Sequence, residues 1–191
     1  SLLSAPNRLT SDQSNVVIAI PNVDGNMEHY KMFEFSNFEP GLQAQFPQIR
    51  SYVGKGIEDS FATIRLSVDD NGIQATIFRS DKNSEIIEPY SSNNKIYAVY
   101  ESKRNKGSLP FTCSTVDSNI AVDLNKSIAP VAKSSSGQLL IFRLALSCNG
   151  EYTTYFGGTV AGALAAMNAT MTRVNGVFEK DLAIHMNIIE N

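Results

Sequence analysis

The feature that most restricts the fold lies in the last third of the chain. From Val160 onward the apolar positions Val160, Leu164, Met167, Met171, Val174 and Phe178 step by four and three. That spacing is one face of an α-helix about five turns long. Ala161, Ala163, Ala165 and Ala166 add helix propensity and let a neighbour approach closely. Two stretches of strand character flank it, QLLIFRLALSC (138–148) and LAIHMNII (182–189). Strand, helix, strand predicts a βαβ unit with a parallel pair. Two strands and one helix cannot cover both faces of their sheet. The expectation is therefore the start of a domain whose remainder lies beyond Asn191, with a sheet edge open to another chain. In the first strand Phe142, Leu144, Leu146 and Cys148 share one face, and Ile141, Arg143, Ala145 and Ser147 the other. On the helix, Thr170, Arg173, Asn175 and Glu179 are expected to point away from the apolar stripe.

The first hundred residues read differently. NVVIAI (15–20), HYKMFEF (29–35), ATIRLSV (62–68), GIQATIFR (from Gly72), SEIIEPY and KIYAVYES are short, β-rich runs separated by turn residues. Tyr30 and Met32 alternate with Lys31 and Phe33, and Ile64, Leu66 and Val68 alternate with Thr63, Arg65 and Ser67. Asn71-Gly72 is a hairpin signal. EPGLQAQFPQI (39–49) predicts a short helical turn limited by Pro47. This part predicts an antiparallel sheet with little helix.

Residues 102–138 are rich in Ser, Asn, Lys and Pro and have no period, so they read as a linker between units, with SSSG at 134–137. A chain of 191 residues suits one large domain or one domain and part of another. A net charge of −3 gives no electrostatic reason for a nucleic-acid or anionic-membrane partner, and no apolar run has the length of about 20 residues that a membrane span needs. The chain opens on SLLSAPNRLTSDQSN, without Met or a signal-type apolar core, which reads as a trimmed or processed product.

The residues show no catalytic constellation. The two histidines, His29 and His185, are isolated, and His185 reads as a satisfied histidine within a strand. There is no H-E-x-x-H, C-x-x-C or G-x-S-x-G. GGTVAG (157–162) lacks the Lys and Ser/Thr of a phosphate loop and reads as a glycine turn into the helix. Glu151 reads as a turn or helix-entry residue. Asn125-Lys-Ser and Asn168-Ala-Thr match the glycosylation pattern by chance. The two cysteines, Cys113 in GSLPFTCSTVD and Cys148, leave the redox compartment open. A cysteine-dependent enzyme would need a histidine within reach of one of them.

The segment FRLALSCNGEYTTYFGGTVAGALAAMNATMTRVNGVFEKDLAIHMNII (142–189), with GEYT (150–153) and NATMTRVNGVFEKD (168–181), resembles the opening of the catalytic domain of bacterial reprolysin-like zinc metalloproteases of the metzincin group. EFSNFEPGLQAQFPQIRSYVGKGIEDSFATIRLSVDDNGIQATI (34–77) and GSLPFTC resemble the same proteins' propeptide. The resemblance implies an α+β chain: a β-rich antiparallel propeptide domain over 1–112, a linker over 113–138, and a truncated βαβ start of the catalytic domain over 139–191. It implies a secreted zymogen whose propeptide assists folding and keeps the protease latent. The family's zinc motif, H-E-x-x-H-x-x-G-x-x-H with a Met-turn and the Glu as base, would lie downstream of Asn191. No catalytic or zinc-ligating residue carries over, zinc is expected only in the full-length parent, and this chain alone is expected to be inactive. The implied partners are the rest of its own catalytic domain and, for the parent, protein or peptide substrates.

Within that resemblance Cys113 is a candidate cysteine switch, a thiolate that takes the open zinc position, although its flanks differ from the animal switch sequence. The alternatives are a Cys113–Cys148 disulfide, worth about 4 kcal/mol by chain entropy, and a plain buried thiol. A reading from another class is a non-enzymatic secreted β-rich binding or cell-surface module.

Overall fold

The computed structural model describes residues 1–91, 93–102 and 138–190. Cys113, most of the expected linker, and Asn125 lie outside the described residues. Within them, residues 1–102 pack together with the described part of 139–191 as one compact unit.

Seven strands run in sequence order across one antiparallel sheet: β1 Val17–Pro21, β2 Met27–Glu34, β3 Arg50–Gly56, β4 Thr63–Asp69, β5 Gly72–Phe78, β6 Glu85–Pro89 and β7 Tyr97–Glu101. The β4–β5 hairpin turns at Asp69↔Gly72, and Gly72 takes φ 108°, a conformation that favours glycine over any side chain. One face of the sheet holds an apolar core in which Tyr30, Met32, Ile64, Leu66 and Ile77 are 0% exposed. The sheet curls, so Ile18 and Ile20 of β1 and Val99 of β7 pack on this same cluster. Arg79 reinforces the closure through ion pairs to Glu28, Glu85 and Asp59.

The sequence reading misses β3, because RSYVGKG carries two glycines and no clean alternation. Gly54 belongs there for packing: a Cβ at this position would collide with Met32 Sδ and sit 2.6 Å from Ile64 Cγ2. β3 pairs with β2 and β4 in full register and is central to the sheet.

The short helix α1, Pro40–Gln45, forms in the expected EPGLQAQ segment, with Pro40 at its first turn and Phe46 ending it. After residue 138 come β8 Leu140–Leu144, α2 Gly150–Tyr155, α3 Val160–Leu182 and β9 Ile184–Ile188. β8 pairs with β9 in parallel, Leu140↔Ile184 through Leu144↔Ile188, so the βαβ expectation holds. The first strand is shorter than its pattern: residues 145–149 leave the strand, and GEYT forms α2 behind an Asn149 cap instead of a turn. Gly157 and Gly158 take positive φ and deliver the chain to Thr159, whose hydroxyl accepts from the Gly162 N–H and caps α3. Ala183, at φ 55°, ends the helix and turns directly into β9.

Helix α3 lies across β3, β4 and β5 on the sheet face opposite the apolar core, and also packs on β9. It is therefore buried on two sides. The side facing the large sheet is made of small and polar residues, Ala165, Asn168, Ala169, Thr172, Asn175 and Gly176. Thr170 and Arg173 are exposed as expected, but Asn175 (1% exposed) and Glu179 (side chain 5% exposed) face inward. The apolar stripe accounts for only part of the burial: Met171 is enclosed, whereas Val160 is 68% exposed. Gly176 permits the close approach, since a Cβ there would stand 2.5 Å from Phe78 Cε2 and 2.9 Å from Arg65 Cγ.

Candidate functional site

The polar face of α3 meets the loop that follows β2, Phe35–Glu39, in a region with almost no water-accessible surface. Asn37 (2% exposed) is at its centre. Its backbone N–H donates to Ser51 Oγ, and Ser51 in turn donates to the Phe35 carbonyl, which fixes the loop against β3. The Asn37 side-chain amide donates to Asn168 Oδ1 (2.9 Å) and Thr172 Oγ1 (2.8 Å), and its Oδ1 accepts from Asn175 Nδ2 (2.9 Å). Thr172 donates onward to the Asn168 carbonyl, and Asn168 donates to the carbonyl of Arg50. The arrangement satisfies each buried amide, and an unpartnered one would cost about 1–3 kcal/mol.

Asn175 does a second job. Its Oδ1 accepts from the Met186 N–H and its Nδ2 donates to the Met186 carbonyl, both at 3.0 Å. Two residues further along β9, the Ile188 N–H donates to the Asn37 carbonyl and the Glu39 N–H donates to the Ile188 carbonyl. Phe38 pairs with Ile188 in a parallel bridge. The side of β9 away from β8 is thus occupied by a side chain of α3 and by three residues of the loop after β2. Phe38, Leu42 and Ile49 fill the apolar space beside it, against Ala165, Met171 and Ile188.

A charged cluster stands one helical turn beyond Asn175. Glu179 receives Arg65 through both terminal guanidinium nitrogens (Nη1 2.8 Å), Arg8 at 3.2 Å and His185 Nδ1 at 2.8 Å. His185 (1% exposed) lies 3.2 Å by Nε2 from the Ser36 carbonyl, and its ring stacks on Phe35 with centroids 4.0 Å apart. Arg8 covers the other part of Phe35 at 5.3 Å. Burial pulls the Glu179 carboxyl upward, but the hydrogen bonds and charges of His185 and Arg65 outweigh it and hold the group below the ordinary glutamate range. Burial lowers Arg65 from the usual arginine value, with Glu179 opposing the shift. His185 is the satisfied strand histidine that the sequence suggests, and Glu179 is the residue that satisfies it.

The remaining candidates fall apart from this cluster. Cys148 is exposed at the mouth of a cavity of about 540 Å³ with Leu146, Tyr152, Met167 and Met171, its Sγ 3.4 Å from Thr153 Oγ1. The proposed partner of its thiol, Cys113, lies outside the described residues. Glu151 sits in the first turn of α2 and is exposed. Asn168 is buried with its amide engaged, in keeping with a chance glycosylation match. Exposed His29 pairs with Glu58 at 2.6 Å. Among the described residues no three His, Cys, Asp or Glu side chains come together as a metal site. No helix among them is long and apolar enough to cross a membrane.

Residues 139–191 match the family model described as metallo-peptidase family M12B, reprolysin-like. This relates the segment that forms β8, α2, α3 and β9 to the metalloproteases. No curated protein and no solved structure matches the chain. The matched segment supplies Asn168, Thr172, Asn175, Glu179 and His185, while the residues outside it that they engage, Arg8, Phe35, Ser36, Asn37, Arg50 and Arg65, all precede it. Sequence reasoning found the motif but not its use. The missed signal is the i, i+4, i+7, i+11 spacing of Asn168, Thr172, Asn175 and Glu179, a polar stripe as regular as the apolar one.

Proposed function

We propose that this chain is the front part of a secreted zinc metalloprotease zymogen. Residues 1–112 act as propeptide, 113–138 as linker, and 139–191 as the opening βαβ of the catalytic domain. The observation that carries the reading is the polar grip itself. The segment matched to the protease family buries its polar helix face and one side of its second strand against residues 8–65 of the same chain. A partner that supplies this much of the hydrogen bonding assists folding of the segment it holds and keeps it from acting. In the full-length zymogen the thiolate of Cys113 serves as the inhibitory zinc ligand, with the Cys113–Cys148 bond as its rival. On this reading the chain carries none of the family's zinc motif, zinc would be bound only by the full-length parent, and the chain alone is inactive.

The test is a polypeptide extended by its natural downstream sequence, assayed for bound zinc and peptide cleavage. Bound zinc, low peptidase activity and a rise in activity with Cys113→Ala are expected. If neither the extended protein nor the variant binds zinc or cleaves peptides, the zymogen reading is wrong, and a non-enzymatic β-rich binding module takes its place. If both cleave equally, the thiol switch alone is wrong. Recovery of a Cys113–Cys148 peptide without reductant would favour the disulfide.

A further inference from the structure

The contacts between the first 102 residues and the segment from β8 to Glu190 form an interface with five separate parts. One is the amide cluster around Asn37, Asn168, Thr172 and Asn175. The second is the carboxylate of Glu179, with Arg65 and Arg8 on one side and His185 on the other. The third is the apolar seam of Phe38, Leu42 and Ile49 on Ala165, Met171 and Ile188. The fourth is backbone pairing, in which residues 37–39 lie along Ile188 as a short third strand. A fifth, exposed set at the rim joins Glu39 to Arg143 and Gln45 to Glu190. Apart from the Glu179–His185 pair, which lies within the later segment, each of these bonds joins a residue at or before Arg65 to a residue at or after Arg143.

From this we infer that the α3–β9 face is a docking surface specific for residues 1–102 as a separable partner, so that scission between Ser102 and Leu139 leaves the two pieces bound to one another. This deepens the zymogen reading by adding a step to it: cutting the linker does not by itself release the front domain, and release requires disruption of the polar face. The pattern of donors and acceptors argues for a selective surface over a merely adhesive one. Asn37 gives two hydrogens and takes one, and its neighbours offer the matching two acceptors and one donor. A carboxylate at position 37 has the same shape but would place a charged oxygen against Asn168 Oδ1 in a buried site. Main-chain pairing along β9 supplies adhesion, and the side-chain matches at Asn37 and Glu179 supply selectivity.

The experiment is to insert a site-specific protease sequence into the Ser134–Gly137 stretch of the full chain, cut it, and run native size-exclusion chromatography beside a denaturing gel. The two fragments are expected to co-elute at micromolar concentration and to separate only under denaturing conditions. Fragments that elute separately, or a C-terminal fragment that precipitates after the cut, would overturn the inference. Asn37→Asp and Glu179→Gln, each close in shape to the parent residue, are cut in parallel. Both are expected to lose co-elution at concentrations where the parent pairs. Circular dichroism of the uncut variants checks that the sheet is still formed. Variants that are folded and remain as tightly paired as the parent would show that the polar face does not select the partner. Because the readout is physical association, a failed protease assay and a failed pairing assay are distinguishable.

Discussion

The seven-stranded sheet and the β8–β9 pair are stabilised in opposite ways. The large sheet encloses its own apolar core, and its central strands β3 to β5 are covered on both faces. In β8 the side chains of Leu140, Ile141 and Phe142 are each about half exposed, and the apolar cluster under the pair is completed by Phe38, Leu42 and Ile49 from the first part of the chain. An isolated two-stranded sheet is marginal at best in water. The difference teaches that the two regions are unequal partners: one encloses its own core, and the other leans on it through both hydrogen bonds and an apolar seam.

That asymmetry can be attacked from the side of the large sheet. Leu66→Ala opens a cavity at a fully buried site and is expected to cost about 2–5 kcal/mol. In a thermal melt followed by circular dichroism, the helical signal of α3 should disappear together with the sheet. A sheet that melts first while α3 persists would break the comparison.

A cut at the dependent side should be smaller and local. Asn175→Ala leaves the Met186 N–H, the Met186 carbonyl and Asn37 Oδ1 without their partner. An expected cost of about 1–3 kcal/mol should fall on β9. Amide exchange at Met186 and Ile188 is then faster while Ile64 and Leu66 keep their protection. Uniformly faster exchange would mean that the two regions unfold as one.

Acid sharpens the same contrast. Glu179 is held below the ordinary glutamate range in the folded chain, so its contribution is complete above that range. It fades as pH falls below about 4.3, the unfolded value, and is gone once pH has passed the lowered folded one. Glu28, also lowered, titrates in the same direction within the large sheet. The informative quantity is therefore the difference in stability between the parent and Glu179→Gln. It should shrink as the solution is acidified, and a difference that stays constant from neutral to acid pH would remove Glu179 as the charged clasp.

The smallest effect is expected at the rim. Glu39 and Arg143 pair, but the Arg143 side chain is 73% exposed, and solvent screens such pairs. Arg143→Ala should leave the denaturation midpoint unchanged within error. A clear shift would mean that the rim, and not the buried amides, holds the regions together.

Much of this architecture was legible in the sequence, and the exceptions share a cause. Alternation at Tyr30–Met32 and Ile64–Leu66 is strong because one face of those strands meets an apolar core. The step of four and three through Met171 is strong because it is the helix period. β3 is hidden because Gly54 answers a packing demand from Met32 and Ile64 on the neighbouring strands β2 and β4. The inward turn of Asn175 and Glu179 is hidden because polar residues ordinarily mark the solvent side of a helix. Their burial becomes intelligible only once Asn37, Arg65 and Arg8 stand opposite them. Locally, this cooperation shows only as the polar stripe from Asn168 to Glu179, and nothing near it in sequence says what stands opposite.

Asn175 and Met186 are joined by a reciprocal pair of hydrogen bonds. An amide side chain that both gives and takes a hydrogen bond at one residue imitates the backbone of a neighbouring strand, and residues 37–39 continue the imitation at Ile188. This side of β9 has been given a false neighbour that cannot itself be extended. Further strands can join only from the β8 side, so the small sheet has a built-in direction of growth.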